Sequence, residues 1–400
     1  MLRHETSRGL IGWPCDRGYR GRRHRSAQVV QNGALPPIVD PSSSSVRPRA
    51  LTPRFARRPA RQLARDKLRR DAAAPAALCR ERTRDQSVGM GEGTNRTDVE
   101  LPGHGAVTLR GWLYMPDGQA GPAPAIVMAH GFSAVKEMRL DRFADAFCSA
   151  GLGVLVYDHR NFGASDGEPR HEINPWAQAR DYRRAIDWLT DRPGVDRDRI
   201  GIWGSSFSGG EVLAVAACDP RVRAVVANVP LAGLPGVDYD DPSDRDARFE
   251  RLRDALLDES GSGPADRRDL PLGPMAVVTK AGDDRPAFLP QPESAEYFLP
   301  FAAGASEPTS WRNDVTVASL LSDPPWDPGV CVSRISPTPL LMIVATQDRL
   351  AETAVALAAF ERADEPRRLE LLEGHHFVPY EGAGFEVASR AAANHFVEHL

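Results

Sequence analysis

From residue 98 onward, short apolar runs alternate with stretches that carry apolar residues at helical spacing. The short runs are apolar on both faces, and they fall at residues 125–129, 154–157, 200–203, 222–228, 340–345 and 368–372. Strands of that kind lie in a parallel sheet that helices cover on both sides. The alternation therefore predicts an α/β fold with a mostly parallel sheet, preceded by a hairpin-like pair at 98–101 and 106–114.

The alternation breaks down between residue 231 and about residue 339. This stretch joins an acidic segment to a Gly-Ser-Pro turn region, and it is too long for a loop and too aromatic for disorder. We expect an inserted lid over residues 232–338, and a core formed by residues 96–231 and 339–400. Six aromatic residues are available to the lid: Phe288, Tyr297, Phe298, Phe301, Trp311 and Trp326.

The first 95 residues differ in composition from the rest of the chain. Residues 1–85 carry 20 basic and 7 acidic side chains, although the whole chain has a net charge of -4. Proline is frequent there and no helical or strand period is sustained, so we expect a disordered basic extension over residues 1–95. An alternative is a start codon placed too early, with Met90 as the real one. A transit peptide or a nucleic-acid-binding tail fits less well, because the segment lacks an amphipathic stripe.

Other features of the sequence exclude several classes of protein. No apolar run approaches the roughly 18 residues that cross a bilayer, so we expect no membrane partner. The five cysteines are scattered without a CxxC pair, which favours a reducing compartment such as the cytoplasm over a disulfide framework or a zinc site. No HExxH, GxxxxGK or strand-linked GxGxxG motif is present, so the sequence calls for no metal and no cofactor. It indicates no nucleic-acid partner and no particular oligomeric state.

The strongest local motif lies at residues 200–210, where an apolar strand meets a turn of small residues and then a helix. Gly204 and Ser206 match the G-x-S-x-G pattern of a nucleophile elbow, and Ser208 replaces its last glycine. Such a turn holds the serine in strained backbone geometry, and small neighbours let strand and helix approach. Ser206 is the predicted nucleophile, with Ser205 and Ser208 as alternatives. By itself, a serine in such a turn is more often a helix cap.

A serine hydroxyl needs a base within hydrogen-bond reach, and the base needs an acid that orients it. Asp348 follows the strand at 340–345, and His376 follows the strand at 368–372. Both residues therefore lie at carboxyl ends of parallel strands, as Ser206 does, and the three should meet at one edge of the sheet. We predict Asp348 as the orienting acid and His376 as the general base, with His375 as the alternative base.

The tetrahedral intermediate of acyl transfer needs hydrogen-bond donors for its oxyanion. One expected donor is the backbone amide of Phe132, in the His130-Gly131-Phe132 turn that follows the strand at 125–129. The other is the backbone amide of Phe207, directly after the nucleophile. Both donors act through the backbone, so the identity of their side chains is weak evidence for this role. His130 itself is predicted to be a structural hydrogen-bonding residue.

Four strings of the sequence resemble those of one known superfamily. They are MAHGFSAVKEMRL (128–140), YDHRNFGASDGEPR (157–170), GIWGSSFSGG (201–210) and LELLEGHHFVPYEGAGFE (369–386). They resemble the α/β hydrolases, most of all a branch near dienelactone-hydrolase-like esterases that also contains fungal polyketide transferases. The resemblance covers about residues 98–400 and implies a triad of Ser206, Asp348 and His376. Dienelactone hydrolases proper use a cysteine nucleophile, and the branch often has an acid where this chain has Val378.

The sequence thus predicts a serine esterase that cleaves an apolar small-molecule ester or thioester through an acyl-enzyme. The alternative is an acyl or polyketide transferase, or a thioesterase, with the same triad. A peptidase is less favoured, because about 300 ordered residues leave no room for the extra domain of prolyl-peptidase relatives. A catalytically inactive binding protein of this fold usually lacks a triad residue, and none is missing here. The fold alone does not name the substrate.

Overall fold

The computed structural model describes residues 96–118, 120–258, 273–320 and 325–400. The expected basic extension over residues 1–95 lies outside the described residues. Within them, eight strands form one sheet in the order β1-β2-β4-β3-β5-β6-β7-β8. The strands are β1 (Arg96–Pro102), β2 (Thr108–Tyr114), β3 (Ala123–Ala129), β4 (Gly153–Tyr157), β5 (Val195–Ser205), β6 (Val222–Asn228), β7 (Leu340–Ala345) and β8 (Arg367–Leu372). β2 pairs antiparallel with β1 and β4, and all other pairs are parallel, which confirms the predicted fold class.

Helices cover both faces of the sheet. In the described residues they are α1 (Leu140–Ser149), α2 (Pro175–Thr190), α3 (Phe207–Cys218), α4 (Pro242–Leu257), α5 (Pro292–Phe298), α6 (Thr353–Arg362) and α7 (Gly382–His399). Along β3, Val127 faces the core cluster that includes α2 and α3, whereas Met128 faces the cluster that includes α1 and α7. This alternation is the period-2 side-chain pattern of a strand buried on both faces. The sequence analysis placed no helix at α7, although α7 closes one face of the sheet.

The chain between β6 and β7 forms the insertion, and its described helices pack on both core clusters. α4 begins with the side chain of Asp241 accepting a hydrogen bond from the Ser243 amide, and it buries Phe249, Leu252 and Leu256 against the α2 and α3 side. α5 packs on the other side through Tyr297 and Phe298. The insertion is therefore attached to the core on both faces of the sheet. The function of this segment as a lid stays a prediction.

No helix in the described ranges combines the length and the apolar composition that crossing a bilayer requires.

The close approach of β5 to α3 depends on Gly204. A Cβ atom at this position would lie 2.2 Å from the carbonyl oxygen of Ser208, which is far inside van der Waals contact with fixed backbone. Strand and helix would have to separate to make room for it. Gly121, in contrast, has open space around its Cα and offers a matched comparison.

We predict that Gly204→Ala lowers the free energy of unfolding by about 2 kcal/mol or more, because overpacking against backbone cannot relax by a rotamer change. Gly121→Ala should stay within about 0.5 kcal/mol of the wild type. Urea unfolding of both variants, followed by circular dichroism, measures the two effects. Equal midpoint shifts for the two variants would contradict this account of the turn.

Candidate active site

The turn between β5 and α3 holds Ser206 with φ 58° and ψ -114°. A positive φ is uncommon for a residue with a side chain, and it stores strain that the surroundings must offset. Two backbone hydrogen bonds do so, because the Ser206 amide donates to the Asn228 carbonyl (2.9 Å) and the Ser206 carbonyl accepts from the Leu231 amide (2.8 Å). Both partners lie at or just after the end of β6. The neighbouring strand thus fixes the serine at the carboxyl edge of the sheet.

The structure brings the three predicted triad residues together. His376 Nε2 lies 2.9 Å from Ser206 Oγ, and His376 Nδ1 lies 2.6 Å from Asp348 Oδ2. A carboxylate only accepts, so Nδ1 carries the proton and Nε2 is left free to accept from the serine. His376 is 3% exposed, which keeps water from competing for this series of hydrogen bonds. The catalytic roles of the three residues stay predictions.

Asp348 is held as a carboxylate by several donors. Its second oxygen accepts hydrogen bonds from the backbone amides of Leu350 (2.8 Å) and Ala351 (2.9 Å). Burial by itself raises the pKa of the Asp348 carboxyl, but the hydrogen bond and charge of His376 and these two amides outweigh it and leave the pKa below its usual value. Asp348 is therefore ionised at neutral pH and can fix the tautomer of His376.

The alternative residues point to other partners. Ser205 Oγ accepts hydrogen bonds from Tyr380 Oη (2.5 Å) and Asn228 Nδ2 (2.9 Å), and it is fully buried. His375 Nδ1 accepts from the Phe377 amide at 3.2 Å. The third alternative, Ser208, lies in a separate buried cluster. The geometry thus favours Ser206 over both neighbouring serines, and His376 over His375.

The two expected oxyanion donors lie on segments that pack against each other. A Cβ atom at Gly131 would lie 2.8 Å from Ser206 Cβ and 3.4 Å from the Phe207 nitrogen, so the Gly131-Phe132 peptide runs directly beside the nucleophile turn. Within the described residues, the amides of Phe132 and Phe207 donate no hydrogen bond. Two amides that are free to donate, on segments that meet at the nucleophile turn, are what a developing oxyanion requires.

A cavity of about 220 Å³ opens above Ser206 and His376. Its lining is almost entirely apolar, with aromatic side chains from the core loops and from the insertion. The aromatic lining residues are Phe132, Phe207, Tyr297, Phe298, Phe377 and Tyr380, and the aliphatic ones are Leu231, Leu289, Leu350 and Ala351. Most of the aromatic lining therefore comes from the core and not from the insertion, which the sequence analysis did not foresee.

Two of the six insertion aromatics, Tyr297 and Phe298, line this cavity. Trp311 packs behind Phe298, with ring centroids 5.2 Å apart, and does not reach the cavity. Trp326 lies elsewhere, against Trp176 at 4.9 Å. Tyr297 also stacks on Phe377, next to His376, at 4.4 Å. The insertion thus contacts the loop that carries the predicted base.

A second polar cluster lies beneath the nucleophile turn and was missed by the sequence analysis. Ser208 Oγ lies 2.7 Å from His159 Nε2 and 2.8 Å from Glu211 Oε2. Burial raises the pKa of the Glu211 carboxyl to about 8 and lowers the pKa of His159 to about 3. Both side chains are therefore neutral at pH 7, and their contact at 3.3 Å is not an ion pair. No local motif signals this cluster, because His159 lies 49 residues from Ser208.

The fold and the site together define the class of protein. A strained serine at the carboxyl edge of such a sheet, hydrogen-bonded to a histidine that is held by an aspartate, is typical of α/β hydrolases. The chain belongs to the family whose model is described as "X-Pro dipeptidyl-peptidase (S15 family)", an α/β-hydrolase family, which matches residues 104–378.

Several relatives are similar over most of their own length. The chain is 32% identical to a thiohydrolase of Aspergillus aculeatus over 284 residues. The aligned segment covers 70% of this chain and 86% of the thiohydrolase. The chain is 31% identical over 310 residues to a polyketide transferase of Aspergillus fumigatus, at 76% and 99% coverage. The crystal structure of an α/β hydrolase from Penicillium has a TM-score of 0.59 and 31% identity, at 76% and 98% coverage. These similarities confirm the resemblance drawn from the sequence and make the chain an enzyme of hydrolase or transferase type.

The neutral state of Glu211 has a measurable consequence for stability. Because its pKa is raised in the folded protein, Glu211 keeps its proton above pH 4.5, where the same group in the unfolded chain releases it. Stability therefore falls as the pH rises towards 8. Glu211→Gln removes this dependence of stability on pH. The free energy of unfolding of the variant, relative to that of the wild type, should therefore increase by on the order of 3 kcal/mol between pH 5 and pH 8. Melting temperatures of both proteins at the two pH values test this, and a constant difference would mean that Glu211 titrates normally.

Proposed function

We propose that this chain cleaves the ester or thioester bond of an apolar acyl group through an acyl-enzyme on Ser206. The observation that carries the proposal is the series of hydrogen bonds from Ser206 through His376 to Asp348 at the floor of an aromatic cavity. Thioesters stand beside oxygen esters because the similar proteins include a thiohydrolase and a polyketide transferase.

The proposed reaction starts when Ser206 Oγ attacks the acyl carbon and His376 Nε2 takes its proton. Asp348 stabilises the imidazolium that forms, and the amides of Phe132 and Phe207 stabilise the oxyanion. His376 then gives the proton to the leaving alkoxide or thiolate as the carbon–oxygen or carbon–sulfur bond breaks. Water, deprotonated by His376, attacks the acyl-enzyme and releases the acid together with free Ser206.

The character of the cavity supports an apolar acyl group over a peptide. A peptide substrate brings polar amides and, for an enzyme that releases dipeptides, a charged amino terminus. The residues that line the cavity in the described part of the chain include no carboxylate to receive that charge. Burying an unpaired charge or an unbonded amide costs several kcal/mol. Peptidase activity is therefore the least favoured of the three candidates.

Transfer of the acyl group to an acceptor other than water is the second candidate. The same chemistry serves it, with an alcohol or thiol in place of the attacking water. The similarity to polyketide transferases favours this candidate. Product analysis with and without an added alcohol separates the two, since a transferase yields mainly the new ester and a hydrolase mainly the free acid.

We predict that Ser206→Ala lowers kcat on an activated aryl ester by at least about a thousandfold, because only binding and the oxyanion donors remain. Ser205→Ala and Ser208→Ala should lose far less. Steady-state kinetics of the three variants measures the difference. If Ser208→Ala were the inactive variant, the assignment of the nucleophile would be wrong.

Acyl length should matter until the cavity is full. Each additional buried methylene contributes about 0.8 kcal/mol, so kcat/KM should rise about fourfold per carbon and then level off. Phe298→Ala enlarges the cavity and should move the plateau to longer chains. Trp326→Ala is the matched control, since it removes a buried aromatic residue of the insertion away from the cavity and should lower only stability. A flat chain-length profile in the wild type would contradict an acyl-binding role of the cavity.

A further inference from the structure

The cluster of Ser208, His159 and Glu211 takes no part in the proposed series of proton transfers. Ser208 and Glu211 are fully buried, and His159 is 4% exposed. None of the three lines the cavity above Ser206. Burying a carboxyl and an imidazole is unfavourable unless their hydrogen bonds serve the structure around them.

The hydrogen bonds of the cluster converge on one backbone carbonyl. Ser208 Oγ lies 2.6 Å from the carbonyl oxygen of His130, and His159 Nε2 lies 3.1 Å from the same oxygen. A carbonyl only accepts, so the Ser208 hydroxyl donates to it. The hydroxyl has one hydrogen, so in its contact of 2.8 Å with Glu211, which is protonated at pH 7, the carboxyl must supply the hydrogen. Glu211 thereby sets the direction of the Ser208 hydroxyl.

The His130 carbonyl belongs to the peptide unit directly before the one that carries the Phe132 amide. The His130–Gly131 peptide is held at its nitrogen as well as at its carbonyl oxygen, because the Gly131 amide donates to the ring Nδ1 of His130 at 2.7 Å. Gly131 itself packs closely against the nucleophile turn, since a Cβ there would lie 2.8 Å from both the Ser205 carbonyl and Ser206 Cβ. The anchored His130 carbonyl therefore restrains the segment that carries the Phe132 amide.

Ser208 also lies on the first turn of α3, one residue after Phe207. Its hydroxyl therefore links the helix that carries one expected oxyanion donor to the strand end that carries the other. No covalent neighbour provides this link, because His130 and Ser208 are 78 residues apart in the chain. The parallel pairing of β3 with β5 ends at Ala129 and Gly204, and the contact between Ser208 Oγ and the His130 carbonyl extends this connection beyond the sheet.

We propose that Ser208 is a positioning residue that sets the spacing of the Phe132 and Phe207 amides, and that Glu211 and His159 hold its hydroxyl in place. The inference rests on the proposed function, because donor spacing matters only if an oxyanion forms. Donors that are misplaced by a fraction of an ångström still permit substrate binding, which uses the cavity walls. They stabilise the tetrahedral intermediate less.

Kinetics of Ser208→Ala on an activated aryl ester tests the inference. We expect kcat to fall about tenfold to a hundredfold with KM within twofold, because misplacement of catalytic groups on this scale costs up to about a hundredfold. The affinity for a trifluoromethyl ketone with the same acyl chain, which forms a tetrahedral adduct on the serine, should fall by the same factor. Binding of the corresponding unreactive ether should not change.

Ser389→Ala is the matched control. Ser389 is a buried serine of α7 whose hydroxyl also donates to a backbone carbonyl, that of Phe385 at 2.7 Å, and neither residue lines the cavity. Its loss should leave kcat unchanged. Glu211→Leu should act in the direction of Ser208→Ala, whereas Glu211→Gln keeps a donor towards Ser208 and should stay within about threefold of the wild type. If Ser208→Ala does not fold, the comparison of Glu211→Leu with Glu211→Gln tests the positioning role in its place.

The outcomes separate the inference from the function on which it rests. A wild type that cleaves none of the esters or thioesters overturns both. An active wild type whose Ser208→Ala variant keeps kcat and ketone affinity overturns the positioning role alone. A parallel loss of kcat, ether binding and melting temperature also overturns it, because it indicates general damage to the fold.

Discussion

The close contact of β5 with α3 around Ser206 is the constraint on which the rest of the site depends. It holds only because residue 204 has no Cβ, and it forces Ser206 to φ 58°. Strain of this kind costs about 1–3 kcal/mol, and the hydrogen bonds from Ser206 to the end of β6 offset it. The same contact places Ser208 against the end of β3. One turn therefore fixes the nucleophile and the Phe207 amide, and it packs directly against the segment that carries the Phe132 amide.

Much of this arrangement could be predicted, because its parts follow rules that act along the chain. Strands buried on both faces appear in the sequence as apolar runs, and the residues directly after parallel strands share one edge of the sheet. Ser206, Asp348 and His376 are all of this kind. The cluster of Ser208, His159 and Glu211 is not, since it forms only when distant segments pack. The helix α7 was missed because its apolar residues are mostly alanine, which gives a weak periodic pattern.

The structure of the insertion was the hardest part to predict from the sequence, yet the insertion contacts two loops that carry residues of the proposed triad. Tyr297 stacks on Phe377, directly after His376, and Glu293 pairs with Arg349, directly after Asp348. A segment without periodic pattern cannot reveal such contacts, because they depend on how its aromatic residues meet the core. They also give the insertion a physical route to influence acyl transfer. A change in α5 reaches the loops of the base and the acid as well as the walls of the cavity.

The neutrality of the buried cluster has an electrostatic consequence for the proposed reaction. A negative charge on Glu211 would lie beneath the donors that stabilise a developing oxyanion, and it would oppose that charge in a medium of low dielectric constant. Burial avoids this, since it raises the pKa of Glu211 to about 8 and leaves the group protonated at pH 7. His130, whose pKa burial lowers to about 4, is neutral as well. Asp348 is thus the ionised member of the site, and its charge acts on His376, where the imidazolium forms.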